Sequence, residues 1–235
     1  MKIGIIGAMK EEITPLLALF PRATTHQVGG NTFYEINYKN AQIFIAYSKI
    51  GKVHSAITTT TMILYFHCEK IIFSGVAGGL GENLKIGDLL LATQLCQHDV
   101  DITAFGHPVG FIPESTIYTQ TDATLNHIAK TIAQKKGIPL KEGVIASGDT
   151  FVHNAEKKQW LIQNFNAKAV EMEGASLGVV CSLFKVPFCV FRSISDNADG
   201  EANISFDEFL ERAAEVSGNF VKEMIDEIIQ TEQNQ

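Results

Sequence analysis

The sequence predicts an α/β protein built on a central, mixed or parallel sheet, and three observations carry that prediction. Short β-branched runs recur at 2–7, 42–48, 70–75, 88–92, 143–146 and 186–194. Helical patterns lie between several of them, which is the alternation of an α/β sheet. The last forty residues hold the clearest helix, with Phe209, Leu210, Ala213, Val216, Phe220, Met224 and Ile228 spaced for one buried stripe. At 235 residues the chain can bury most of the surface its unfolded form exposes, and nothing in its length requires a second domain. One domain over 1–235 is the expectation.

Taken in order, the first run ends at Gly7-Ala8-Met9 and leads to Glu11 and Glu12, just ahead of Pro15, which suits the first turn of a helix. Two readings stay open there. The glutamates either complement the helix dipole or stand beyond a strand's carboxyl end, where ligands of α/β sheets collect. Thr58 to Thr61 reads as a polar patch of a helix. The run from Lys70 passes into Ser74-Gly75-Val76-Ala77-Gly78-Gly79, a local pattern of a glycine turn whose N–H groups a ligand could approach. It matches neither G-x-G-x-x-G nor G-x-x-x-x-G-K-[ST], so it supports no nucleotide-phosphate site.

The interval 97–121 holds Gly106, Pro108, Gly110 and Pro113 among aromatics and reads as mostly irregular. Loops of that length in compact domains are usually functional. Ser147-Gly148-Asp149-Thr150-Phe151-Val152 follows another strand and is either a turn with a core phenylalanine or an aromatic placed beside free backbone. Val170 to Cys181, VEMEGASLGVVC, reads as a buried helix with Glu171 and Glu173 at its mouth. Carboxylates entering such a segment must be paired, hydrogen-bonded or protonated. In the strand 186–194, Arg192 needs a carboxylate partner, and Asp196 at its end stands where a proton-transfer group would be placed. The final helix is expected to open at Ser205, because Ser205-Phe206-Asp207-Glu208 matches a capping box, and to fray over its last six residues, QTEQNQ.

A net charge of −7 provides no electrostatic footprint for nucleic acid or an anionic membrane, which leaves small-molecule chemistry. Cys68, Cys96, Cys181 and Cys189 form no C-x-x-C pair and sit in apolar surroundings, as reduced core cysteines do. No signal-peptide pattern and no membrane-spanning run is evident, so the expected compartment is the cytoplasm. The seven histidines lack ligand spacing, so no metal site is expected. No serine is presented with a base in an evident triad motif.

IGIIGAMKEEI, SGVAGGL, DVDITAFG, SGDTFV, VEMEGAS and RSISDNAD, spread in that order over nearly the whole chain, resemble the 5′-methylthioadenosine/S-adenosylhomocysteine nucleosidases of the purine nucleoside phosphorylase/hydrolase superfamily. The resemblance implies a central mixed β-sheet or barrel surrounded by helices, a homodimer, and cofactor-free hydrolysis of the N-glycosidic bond of adenine thionucleosides. By the same resemblance Glu12 activates water, Asp196 protonates adenine N7 with Ser195 orienting it, and Arg192 helps order Glu12 and the water. Glu173 and the backbone of Met172 bind the ribose hydroxyls, while Glu171 alongside is structural. Phe151 stacks on adenine, the backbone of Val152 reads its edge, and Ala77 and Gly78 belong to the same wall. Met9, Ile50, Phe105, Pro113 and Phe206 line the 5′-substituent pocket, the loop of Phe105 and Pro113 reaching into the partner's site. Family members in some bacteria also cleave 6-amino-6-deoxyfutalosine on a menaquinone route, so this chain is expected to accept it beside the methionine-salvage substrates and 5′-deoxyadenosine. Many members carry serine where this chain has Val76, so one hydroxyl near the water is missing.

Two rivals stand beside this reading. A phosphorylase on the same fold needs a cationic phosphate cradle, whereas Glu12 would repel the anion. A non-catalytic nucleoside-binding regulator needs neither Glu12 nor Asp196.

Overall fold

Strand β5 (Lys70–Gly79) organises the molecule by running well past Gly75, where the β-branched pattern stops. In the computed structural model, which describes residues 1–20, 22–81 and 83–233 with the backbone alone at 204, its first half pairs in parallel with β1 (Lys2–Gly7). Its second half pairs antiparallel with β9 (Ala167–Glu171) through Gly78 and Gly79. Along the other edge it runs parallel to β10 (Phe188–Asp196). From β10 the pairing continues to β6 (Leu89–Gln97), to β8 (Leu140–Ser147) and back to β9. These five strands close a mixed barrel, which leaves them no open edge. Beyond β5 and β1 the sheet extends through β4 (Ala41–Tyr47), β3 (Asn31–Tyr38) and β2 (Thr24–Val28), and β7 (Tyr118–Gln120) adds to β6.

Alternation along the strands splits the core. Ile3, Ile5, Ile43 and Ile45 join the cluster under α1 (Lys10–Ala18), α3 (Ala123–Lys136) and α6 (Ala202–Gln233). Ile6, Phe44 and Ala46 point the other way, toward α2 (Lys52–Leu64) and α5 (Gly174–Phe184). This is the period of two that a sheet covered on both faces requires. A third cluster lies under α4 (Ala155–Phe165), around Leu161 and Phe165. Each fully buried Ile or Phe contributes roughly 1.5–3 kcal/mol. Among the described residues no helix is long and apolar enough to cross a membrane. All four cysteines are buried and free.

Several expectations are corrected. Ser74 to Gly79 is strand, not a glycine turn. Val170 and Glu171 end β9, and the helix opens only at Gly174, because the backbone must turn between sheet and helix there. Helix α6 opens at Ala202, three residues before Ser205. Asp199 anchors that start, its Oδ1 accepting from the Glu201 amide (3.1 Å) and its carbonyl from the Ala202 amide (3.0 Å), so the Ser205 amide already donates within the turn to Glu201 O. Of the expected stripe, Ala213, Phe220, Met224 and Ile228 are buried, and Phe209, Leu210 and Val216 are half-buried. The helix continues through Gln233, where Glu232 pairs with Lys70 at 2.7 Å; residues 234 and 235 of the expected frayed end lie outside the described residues. Pro15 falls inside α1, beyond its first turn. Strands β2, β3, β7 and β9 have no counterpart in the sequence reading, being short, polar or partly exposed. The interval 97–121 is mostly irregular, holding one 3-10 turn at Thr103–Phe105 before β7.

Candidate active site

A cavity of about 350 Å³ opens where β1, β5, β9 and β10 end. Ala8, Met9, Glu12, Ile50, Val76, Ala77, Gly78, Phe151, Val170, Glu171, Met172, Glu173, Ser195, Asp196 and Phe206 line it. Its size and apolar wall with a few convergent polar groups are those of a small-molecule site. A larger surface groove of about 550 Å³ near Lys10, Glu11, Glu211 and Glu215 has no buried polar group among its lining residues.

Glu12 lies in the first turn of α1, yet its side chain reaches back over the sheet. Oε2 accepts from the amides of Ala8 (2.5 Å) and Met9 (2.9 Å), and Oε1 from the amide of Val76 (2.9 Å). A Cβ at residue 75 would stand 2.4 Å from Oε1, so Gly75 makes room for the carboxyl group against β5. Burial pushes the Glu12 carboxyl above the usual range, against the opposing pull of the Arg192 charge and the three amides. The glycines read as a turn are thus places where side chains lie on strand backbone.

Asp196 ends β10 just after a register shift between Ile194 and Asp196 opposite β5. Such bulges re-aim a side chain. Its Oδ2 accepts from Ser195 Oγ (2.9 Å) and Oδ1 from the Ala198 amide (2.8 Å). Gly78 gives it space, since a Cβ there would be 2.9 Å from Oδ1. Burial raises the Asp196 carboxyl, and the Ala198 and Ser195 hydrogen bonds hold it back only in part.

The two glutamates of VEMEGA separate cleanly. Glu171 takes Arg192 Nη2 at 2.5 Å and the Gly174 amide at 2.8 Å, and the Ser147 hydroxyl donates to its other oxygen. Arg192, 1% exposed, also lies 4.1 Å over the Phe73 ring. Its carboxylate partner is therefore Glu171; it makes no hydrogen bond to Glu12 and acts on it through charge alone. Glu173 instead turns to the cavity, with Oε1 accepting from the Gly51 amide at 2.7 Å. Burial, with the Glu171 charge second, pushes its carboxyl up to about 8.

Phe151 is 41% exposed and meets Phe206 edge to face at 5.8 Å. Val152 lies beside the main cavity, in a recess shared with Gly78, Met172 and Asp196. Phe105, 81% exposed, and Pro113, also exposed, are not among the residues lining this chain's own cavity. Ala8 and Val170 line it without having been singled out, since small apolar residues at strand ends carry no chemical signal.

The chain is similar to known proteins over nearly its whole length. Residues 2–226 match the family model described as Phosphorylase superfamily. The chain is 60% identical to the aminodeoxyfutalosine nucleosidase of Helicobacter pylori, covering 97% of this chain and 99% of the relative. It is 41% identical to the 5′-methylthioadenosine/S-adenosylhomocysteine nucleosidase of Actinobacillus succinogenes, over 97% and 100% of the two chains. A solved structure of the Helicobacter pylori 5′-methylthioadenosine/S-adenosylhomocysteine nucleosidase with butyl-thio-DADMe-Immucillin-A superposes with a TM-score of 0.96 at 60% identity, over 97% of this chain and 98% of that one. With a family model over most of the chain, a shared fold and relatives matched over nearly their whole length, the chain belongs to the phosphorylase superfamily, in the family of the methylthioadenosine/adenosylhomocysteine and aminodeoxyfutalosine nucleosidases.

Proposed function

We propose that the chain, as one catalytic domain over 1–235, hydrolyses the N-glycosidic bond of 5′-substituted adenine nucleosides, releasing adenine and the substituted ribose. The observation that carries this reading is a pair of buried carboxyl groups, Glu12 and Asp196, held at separate points of one apolar cavity, neither in an ion pair among the described residues. Cleavage passes through an oxocarbenium-like state that needs a protonated leaving base and an activated water on the opposite face. Asp196, whose carboxyl burial raises above its ordinary value, supplies the proton to adenine N7, and Ser195 orients it. Glu12 takes the proton of the attacking water; burial makes it a stronger base than an exposed glutamate. Glu173 and the Met172 backbone hold the ribose hydroxyls, Phe151 stacks on adenine, and the Val152 backbone reads its edge. Arg192 fixes Glu171 and steadies Glu12 by charge. Val76 contributes its amide to Glu12 but no hydroxyl to the water.

The apolar mouth formed by Met9, Ile50 and Phe206 suits the substrates that the family and the relatives' names imply. They are 5′-methylthioadenosine, S-adenosylhomocysteine, 5′-deoxyadenosine and 6-amino-6-deoxyfutalosine, which would place the protein in methionine salvage and menaquinone biosynthesis in the cytoplasm. Phe105 and Pro113 close the pocket of a second copy in a homodimer, a reading supported by apolar Val53, Ile57 and Leu183 exposed on α2 and α5. The test is adenine release from methylthioadenosine in phosphate-free buffer. Undiminished release is expected. Dependence on added phosphate would make the protein a phosphorylase, and binding without release a regulator. Because apolar pockets reject extra groups only weakly, kcat/KM for methylthioadenosine, adenosylhomocysteine and aminodeoxyfutalosine should agree within about two decades.

A further inference from the structure

Helix α2 has no cap of its own. Its N-cap is Gly51, at φ 100° and ψ 158°, a conformation open in practice to glycine alone, and it offers no side chain to the first-turn amides. Two of those amides are nonetheless satisfied, by carboxyl groups that arrive from distant segments. Gly51 N–H donates to Glu173 Oε1 at 2.7 Å, and Lys52 N–H donates to Asp149 Oδ1 at 2.8 Å. A Cβ at residue 51 would stand 3.0 Å from that Asp149 oxygen, so the glycine also gives the carboxylate its room.

Asp149 is held from a second side. Its amide donates to Asp99 Oδ2 at 2.9 Å, while Asp99 Oδ1 pairs with Lys52 Nζ at 2.6 Å. Lys52 thus binds Asp149 by its backbone and Asp99 by its side chain, and its carbonyl accepts from Ser176 Oγ at 2.9 Å. The Asp149 segment leads directly to Phe151 and Val152, and Glu173 stands across the same cavity. We propose that Asp149 is a positioning residue, coupling the base-binding segment 148–152 to the sugar-binding Glu173 through two successive amides at the start of α2.

The physical consequence is a shared frame. Glu173 spends Oε1 on Gly51, and its Oε2 has no protein partner among the described residues, which leaves that oxygen for a sugar hydroxyl. Its placement depends on where the Gly51 amide points, and that direction depends on Asp149 holding the next amide. Removing Asp149 therefore loosens both ends of the pocket while leaving Glu12 at the start of α1 and Asp196 at the end of β10.

The inference rests on the nucleosidase reading, and its test separates the two. Wild-type release of adenine from methylthioadenosine checks the reading alone. Asp149→Ala should raise KM for methylthioadenosine about tenfold, the scale of one lost charge-assisted hydrogen bond, with kcat within about threefold. Asp149→Asn keeps the accepting Oδ1 and should bring KM back within about threefold of wild type. Hydrogen exchange supplies a readout that needs no substrate: Asp149→Ala should speed exchange at 148–152 and at 172–174 as well as at 51–55. If exchange rises only at 51–55, or KM stays unchanged while the melting temperature falls, Asp149 is a local helix cap and the coupling is wrong. Failure of Asp149→Asn to restore KM would equally overturn it.

Discussion

The two halves of the cavity are built differently. At one end Glu12 and Asp196, 4% and 2% exposed, are held by backbone amides at strand and helix ends. At the other, Ile50 and Phe151, 52% and 41% exposed, stand on connecting segments, and Phe151 meets Phe206 near the start of α6. Groups that move protons need fixed position and a perturbed pKa, and both come from burial against regular structure. Surfaces that accept variable substituents need neither, and loops serve them. The difference teaches that substitutions at the first end should act on turnover, and those at the second on which nucleoside is preferred.

The largest expected effect tests the buried end. Glu12→Gln should lower kcat for methylthioadenosine at least about a hundredfold while substrate analogues still bind. Both Glu12 oxygens accept from N–H groups, so an amide nitrogen must face at least one of them. A stability loss of about 1–3 kcal/mol should accompany the kinetic one, readable as a lower melting temperature. Near-normal turnover would remove Glu12 from water activation. Asp196→Asn should lose nearly as much on substrates whose leaving base is poor, and much less on a nucleoside with an activated leaving group. Equal losses on both would make Asp196 structural.

Glu173 lies where the two halves join, and its prediction is one of pH. Its carboxyl is raised from an ordinary 4.5 to about 8, chiefly by burial. The folded state therefore holds this proton more tightly than the unfolded chain. The stability it contributes is full below about 4.5 and is lost as pH rises through about 8. Glu173→Gln cannot lose a proton. Its melting temperature should gain on wild type between pH 5 and pH 9 by at least about 2 °C, what roughly 1 kcal/mol produces in a chain of this size. Parallel curves across that range would mean that Glu173 is ionised throughout.

Legibility in the sequence followed the same division. The α/β alternation, the carboxyl groups and the need of Arg192 for a partner could be read because buried charge in an apolar run has few solutions. Which glutamate Arg192 would take could not be read, since Glu171 and Glu173 differ only in falling before and after the turn from β9 into α5. The stretch Ser74 to Gly79 was misread for a related reason. Glycine in a strand looks like a turn until the side chains lying over it, those of Glu12 and Asp196, are known. Barrel closure was also hidden, because β5 pairs with β9 through two glycines that carry no β propensity.

The smallest effect belongs to the exposed end. Phe105, 81% exposed, presents a large apolar ring that no part of its own cavity uses. If it closes the partner's 5′-substituent pocket, Phe105→Asp places a charge against an alkylthio group and removes apolar contact there. Burying one aromatic side chain contributes roughly 1.5–3 kcal/mol, and a contact only partly buried contributes less, so the expected rise in KM for methylthioadenosine is about tenfold. Inhibition by free adenine should barely change, because adenine has no 5′ substituent to lose. Sedimentation decides the remaining point: a wild-type protein that is fully active as a monomer would take Phe105 out of any site and leave the mouth of the cavity to Met9, Ile50 and Phe206 alone.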